Sequence, residues 1–407
     1  VNWLLFSKVG KIFVNFCKLY PKRQKRGKKY RTFADLFQGK IIEMIGQSHT
    51  KTFLKRLVQE KRVPHALLLL GPTGSGSLVL GLWLARLLQC EAEDNATGEP
   101  CGVCNACRKS GQHIHPDIHF SYPTIGTNAV STDFIKQWRT AITENPYMDV
   151  NTWLQLLGAE NKQGNINKEE CNAIIKKLSL RVYEGKFKML LMWRPEFLGK
   201  EGNRLLKLIE EPPEQTQFIL IAEHTEDILP TVLSRCQIVK TDQLTDVEIE
   251  EGLQVIRQMA PDRAKRIAFL AEGNFQQALQ LADNESSDDS ALMLDWLRRC
   301  WRGNGPEMVA WTDKFAKMGR ENQKQFIRYC LNFMRELMNM VAAGQNDLRL
   351  PEEELVSARN MARVLDFDKI SRIVTMLNDN AYYIERNANP KILFLDTSIK
   401  THRIMKG

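Results

Sequence analysis

The chain has 407 residues, 43% hydrophobic and 26% charged, which is room for two or three domains of ordinary globular composition. Its net charge of +9 is not spread over the fold: residues 1–44 hold eleven Lys or Arg against Asp35 and Glu43, so the rest of the chain has 46 basic and 46 acidic residues. That balance excludes a strongly basic folded body, and nine cysteines of which four cluster read against a disulfide framework and for a reducing cytoplasm.

The N-terminal arm begins 1-VNWLLFSKVGKIFVNFCKLY-20 and runs into 22-KRQKRGKK-29. Lys8, Lys11 and Lys18 interrupt its apolar residues, which makes a poor membrane span. Its charge follows the apolar part and no small-residue cleavage site ends it, which makes a poor signal peptide. A basic amphipathic helix on a membrane or nucleic acid is one reading. An extension outside the main fold is the simpler one, and no membrane partner is expected.

From 45 to 242 strand and helix signals alternate. The apolar runs 66-ALLLL-70, 118-IHFSY-122, 187-FKMLLMW-193, 218-FILIAE-223 and 237-QIV-239 read as strands. Their continuous hydrophobicity suits a parallel sheet covered on both faces, with helices such as 171-CNAIIKKLSL-180 between them. Thr245 with Glu248 three residues on forms a capping box, and only helical periodicity follows it. The polar stretch 284-NESSDDS-290 reads as a linker. Residues 291–407 are helical, with Trp296, Trp301, Trp311, Phe326, Leu331 and Phe333 as candidate core. Outside the cluster, Cys17, Cys171, Cys236, Cys300 and Cys330 read as buried thiols.

The stretch 71-GPTGSGSLVL-80 follows the first strand and opens a helix. Gly71, Gly74 and Gly76 let backbone N–H groups approach a phosphate at a helix N-terminus. The complete motif is G-x-x-x-x-G-K-[ST]. Here Ser77 stands where the lysine should reach the phosphates, and Leu78 where a hydroxyl should bind Mg²⁺. The strand that should end in metal-binding acids ends instead in Trp193, Arg194 and Pro195, with Glu196 the first acid. Two independent parts of a hydrolytic site are missing together, so no intrinsic ATPase is expected, and the loop glycines with Ser77 form a degenerate phosphate site.

Cys90, Cys101, Cys104 and Cys107 have the spacing C-x10-C-x2-C-x2-C, which is strong Zn²⁺ spacing. Four thiolates close a tetrahedron and leave no place for water, so the expected zinc is structural. His113, His115 and His119 are nearby alternatives; His115 reads better as part of a turn and His119 as part of a strand.

The strings 45-IGQ-47, 64-PHALLLLGPTGSGS-77, 101-CGVCNAC-107, 115-HPDIHF-120, 204-RLLKLIEEPPEQTQFILIAEHTEDILPTVLSRCQIV-239 and 386-RNANPKILFLD-396 together resemble the AAA+ clamp-loader family of DNA polymerase III. The likeness covers roughly residues 45 to 400 and is strongest in the first 240. It implies a RecA-like α/β AAA+ domain over 45–242 with the zinc insertion at 90–107, a small helical lid domain over 243–290 and an all-α collar domain over 291–407, which joins subunits in a ring. The paired losses point to the non-hydrolysing kind of subunit. ATP is then expected only at neighbouring subunits, with weak or no binding in this chain. The resemblance also assigns Arg235, within the motif Ser234-Arg235-Cys236, to the neighbour's ATP site as an arginine finger. From spacing alone, an arginine capping the helix 228–234 is the competing reading. Active relatives carry an arginine in the lid where this chain has Gln276. Implied partners are the gamma/tau-type ATPase subunits and delta, with the sliding clamp and primer–template DNA reached through the complex. The alternatives are an active gamma/tau-type ATPase, and a zinc-dependent DNA-binding protein whose salt-sensitive affinity resides in residues 1–44.

Overall fold

A computed structural model describes residues 44–92, 98–158, 163–283, 289–344, 350, 352–386 and 388–407. The basic arm up to residue 43 and residues 284–288 of the expected linker lie outside the described residues. The chain divides into two compact units, one ending at Ala282 and one starting at Asp283.

The first unit is built on five strands: β1 Ala66–Leu70, β2 Ile118–Ser121, β3 Lys188–Trp193, β4 Thr216–Ala222 and β5 Gln237–Lys240. All pairings are parallel, in the order β2-β3-β4-β1-β5. Parallel neighbours need a crossover, and helices supply it on both faces. The alternation of side chains divides β1, β3 and β4 between two cores, whereas the edge strand β5 buries only Val239. Leu67, Leu69, Leu191, Trp193, Ile219 and Ile221 face one core, with the helix Ser77–Gln89, Trp138 and Trp153. Ala66, Leu68, Leu190, Met192, Phe218 and Leu220 face the other, with Cys171, Ile174 and Ile209. Each fully buried Leu, Ile or Phe contributes ~1.5–3 kcal/mol. The helix Ser77–Gln89 is buried at every position, as expected for SLVLGLWLARLLQ, which is apolar around its whole circumference.

Three helices follow the sheet within the same unit: Asp246–Arg257, Pro261–Ala271 and Phe275–Asp283. The capping box forms as read. Thr245 N–H donates to Glu248 Oε2 at 2.8 Å, and Glu248 N–H donates to Thr245 Oγ1 at 3.3 Å.

The second unit is helical over Asp289–Arg302, Gly305–Ala316, Arg320–Ala343, Glu352–Ala362, Phe367–Glu385 and Pro390–Lys406. Its centre is aromatic: Trp296, Trp311, Phe315, Phe326 and Phe394 pack mostly at tilted angles, with Phe315 and Phe394 centroids 3.8 Å apart. Phe333 is buried, Leu331 only partly. Trp301 is not core; it is 42% exposed, with the Lys406 ammonium 3.8 Å above its ring. Leu294 and Leu297, on the same side of that helix, are buried, but Trp301 stands at its end, one residue before Arg302. Cys171, Cys300 and Cys330 are buried, Cys236 only partly, and Cys17 lies outside the described residues. Among the described residues no helix is long and apolar enough to cross a membrane.

Candidate functional site

The glycine loop runs from β1 into the helix Ser77–Gln89. Its carbonyl side is pinned to the fold. Phe275 N–H donates to Gly74 O at 3.1 Å, and Gln47 Nε2 donates to Ser75 O at 3.1 Å. Two glycines are required sterically. A Cβ on Gly71 would fall 1.8 Å from Thr241 Oγ1. One on Gly74, where φ is +73°, would fall 2.0 Å from Asn274 Oδ1. Gly76, at φ +92°, ends the loop as the helix N-cap. The helix N-terminus keeps its partial positive charge.

The side chains turn away from that role. Ser77 Oγ is 2.7 Å from Thr241 Oγ1 and 3.0 Å from Ser75 Oγ, so it closes a buried cluster of three hydroxyls. Leu78 is buried in the core beneath the sheet. Neither a cation nor a free hydroxyl is aimed at the loop.

The opposite wall carries the reverse of the expected charge. Arg194 follows β3 in left-handed backbone, φ 64°, and is almost wholly buried. Its guanidinium pairs with Glu223, the residue after β4, and lies 3.7 Å from Glu196 Oε1. Glu196 is spent on the backbone: its Oε1 accepts from Glu223 N–H at 2.6 Å and His224 N–H at 3.1 Å. The cleft between this wall and the loop offers only about 30 Å³ of free space, far below ligand pockets, which span about 300 to 1,000 Å³. Gln276 does not face it as a free group, since its amide bonds Asn145 and donates to Thr152 Oγ1 at 3.1 Å.

Arg235 lies at the surface on the far side of the chain's own chemistry. Its Nε and Nη2 are 3.2 and 3.1 Å from Glu210 Oε2, and Nη1 donates to Thr231 O at 2.8 Å. The side chain is 30% exposed. The helix before it is only Pro230–Leu233, because Pro230 starts it. Arg235 thus makes the helix-end contact of the competing reading while remaining at the surface. Ser234 Oγ bonds Thr231 O at 3.2 Å, and Cys236 is half-buried.

The four clustered cysteines converge, with their sulfurs all within 4.8 Å of one another. Cys101 Sγ and Cys107 Sγ are 3.9 Å apart. Zn–S bonds of ~2.3 Å require tetrahedron edges of about 3.8 Å, so the set fits zinc. Backbone N–H groups of Cys101, Cys104 and Cys107 donate to the sulfurs of Cys90, Cys101 and Cys104 at 3.4, 3.4 and 3.3 Å, the support that thiolate ligands need. Burial raises the Cys101 thiol, but N–H donors from Cys104 and Val103 outweigh it and bring it to about 6; burial pushes Cys107 well up. Four sulfurs this close ionise together only around a cation. Among the described residues no histidine joins them. His113 is buried, His115 Nδ1 accepts from Asp117 N–H at 3.2 Å, and His119 lies in β2.

Sequence reading did not find Glu223, Glu210, Thr241 or Gln47. The string 45-IGQ-47 is the nearest to a visible signal, because Gln47 adopts φ 56° and donates to both Ser75 O and Asp242 O.

Known proteins match the same region. A family described as DNA polymerase III, delta subunit, matches residues 46–245. The DNA polymerase III subunit tau of Escherichia coli K12 is 28% identical over 259 residues, 62% of this chain and 33% of its own length. The subunit delta' of Bacillus subtilis 168 is 25% identical over 245 residues, 60% of this chain and 61% of its own length. A solved DNA polymerase III gamma subunit-related protein of Thermotoga maritima covers 87% of this chain and 99% of that chain at 14% identity, with a TM-score of 0.37. The chain therefore spans between 33% and 61% of the length of the curated relatives it matches first. The family match and the curated relatives together identify residues 46–245 of this chain as a clamp-loader AAA+ region of DNA polymerase III type.

Proposed function

We propose that this chain is the delta-prime subunit of a bacterial clamp loader: a stator that does not hydrolyse ATP and lends Arg235 to the ATP site of a neighbouring subunit. The observation that carries the reading is an asymmetry. In the chain's own cleft Ser77 is turned into a hydroxyl cluster and Arg194 is neutralised by Glu223, whereas Arg235 stands at the surface. A guanidinium can stabilise charge on a phosphoryl group in trans, typically worth ~10³–10⁵ in rate. In this reading the helices after Thr245 act as lid and those of the second unit as collar. The partners are gamma/tau-type ATPase subunits and delta, with the clamp and primer–template DNA met through the complex, in the cytoplasm. Cys90, Cys101, Cys104 and Cys107 would hold a structural zinc that keeps a short insertion folded.

The test is a loader reconstituted with its ATPase partners and clamp. Arg235→Ala should leave assembly intact and lower ATP turnover at the one served site by at least about tenfold. An unchanged rate would end the trans reading. Because curated relatives include tau and gamma as well as delta', the competing reading is an active ATPase. Sustained ATP turnover by the isolated chain, abolished by altering Gly76, would favour it instead.

A further inference from the structure

We propose that Glu210 is the positioning residue for Arg235, an inference that rests on the trans role argued above. A guanidinium carries five N–H donors in a fixed plane. Here the two donors of its side edge, Nε and Nη2, converge on one oxygen, Glu210 Oε2, at 3.2 and 3.1 Å. A third donor, on Nη1, is taken by Thr231 O at 2.8 Å, with Ser234 Oγ a longer 3.4 Å away. The two anchors come from separate elements. Glu210 ends the helix Leu206–Glu210, and Thr231 belongs to the helix Pro230–Leu233. Nη2 keeps a second donor beyond these contacts, on the end of the fork. A donor so placed can meet an oxygen of a phosphoryl group.

Glu210 is 57% exposed and Arg235 30% exposed. An ion pair so placed contributes little to folding because water screens it. What it does accomplish is to fix a long, rotamer-rich side chain before a neighbour arrives, which removes an ordering cost from the catalytic step. Glu210 therefore acts on turnover through Arg235 and not on the fold.

The experiment uses the complete reconstituted loader, with ATP turnover followed at the site that Arg235 serves and assembly checked by size-exclusion chromatography. Glu210→Ala should lower kcat by about tenfold, with KM for ATP unchanged, since a finger acts in the transition state. Glu210→Gln, which keeps an acceptor oxygen, should retain at least about half the turnover that Glu210→Ala loses. The double variant Glu210→Ala/Arg235→Ala should be no slower than Arg235→Ala alone. If Arg235→Ala is slow but Glu210→Ala runs at the unaltered rate, the positioning role is overturned and the finger survives. If both Glu210 variants run faster, the carboxylate sequesters the finger, and the proposal is again overturned. If Arg235→Ala itself changes nothing, the trans reading fails first.

Discussion

Removing the Arg194 guanidinium tests whether the chain's own cleft is closed by an internal ion pair. The Arg194 side chain is 8% exposed, with Glu223 at 16% and Glu196 at 4%. Arg194→Met keeps the buried volume roughly constant but strands the Glu223 carboxylate and takes the cation from beside Glu196. Breaking one partner of a buried pair costs ~3–5 kcal/mol. The lower end applies here, about 3 kcal/mol, because Glu223 lies at the mouth of the cleft and can recover some water. Glu223→Gln should cost less, about 1–2 kcal/mol, since Arg194 keeps Glu196 at 3.7 Å. The double variant Arg194→Met/Glu223→Gln carries no stranded charge between the two positions. It should be less destabilised than the sum of the singles by about 1–2 kcal/mol. The assay is native-state hydrogen exchange of the whole chain, read at the amides of β1 and β4, so that unfolding of the second unit does not enter. Additive costs, or a loss below ~0.5 kcal/mol for Arg194→Met, would show that the pair does not hold the wall together.

The cysteine cluster should bring one zinc per chain through purification, measured by elemental analysis. Cys101→Ser should lose it and lower the melting temperature of the first unit; full stability without metal would refute a structural role. His113 should make the protein acid-sensitive. Burial first, and then the charges of Arg139 and Arg86, hold its pKa at about 4 against an ordinary 6.5. Between those values the unfolded chain takes up a proton that the folded chain refuses, so stability rises with pH across the window. It should fall by up to ~1.4 kcal/mol per pH unit as pH drops from about 6.5 towards 4. Urea titrations at several pH values should show a shallower slope for His113→Gln, and an identical slope would contradict the assignment.

Much of the fold could be read in the sequence because the signals are local. The three inner strands β1, β3 and β4 are marked by continuous apolar runs, and Thr245 with Glu248 announces its helix in four residues. The cysteine cluster was equally legible, since its ligands lie within eighteen residues of one another. What stayed hidden depends on the strand order. Arg194 meets Glu223 only because β3 and β4 are neighbours, and Ser77 meets Thr241 only because β5 lies beside β1. A serine in place of a lysine looks like a simple loss until the sheet brings a threonine to it. Trp301 was misplaced for a different reason. Apolar character and its spacing from Leu294 and Leu297 suggest burial, but the helix ends one residue later at Arg302 and leaves the ring partly in solvent with a lysine over it.

The same strand order has a consequence for synthesis on the ribosome. β1 lies between β4 and β5, so 66-ALLLL-70 has no strand partner until residues 216–222, about 150 positions later, have emerged. Through that interval the nascent chain carries a bare, uncharged apolar segment of the kind that self-associates. Gln47 waits longer still for Asp242, 195 residues away. Translation arrested before residue 216 would release a polypeptide with β1 unpaired.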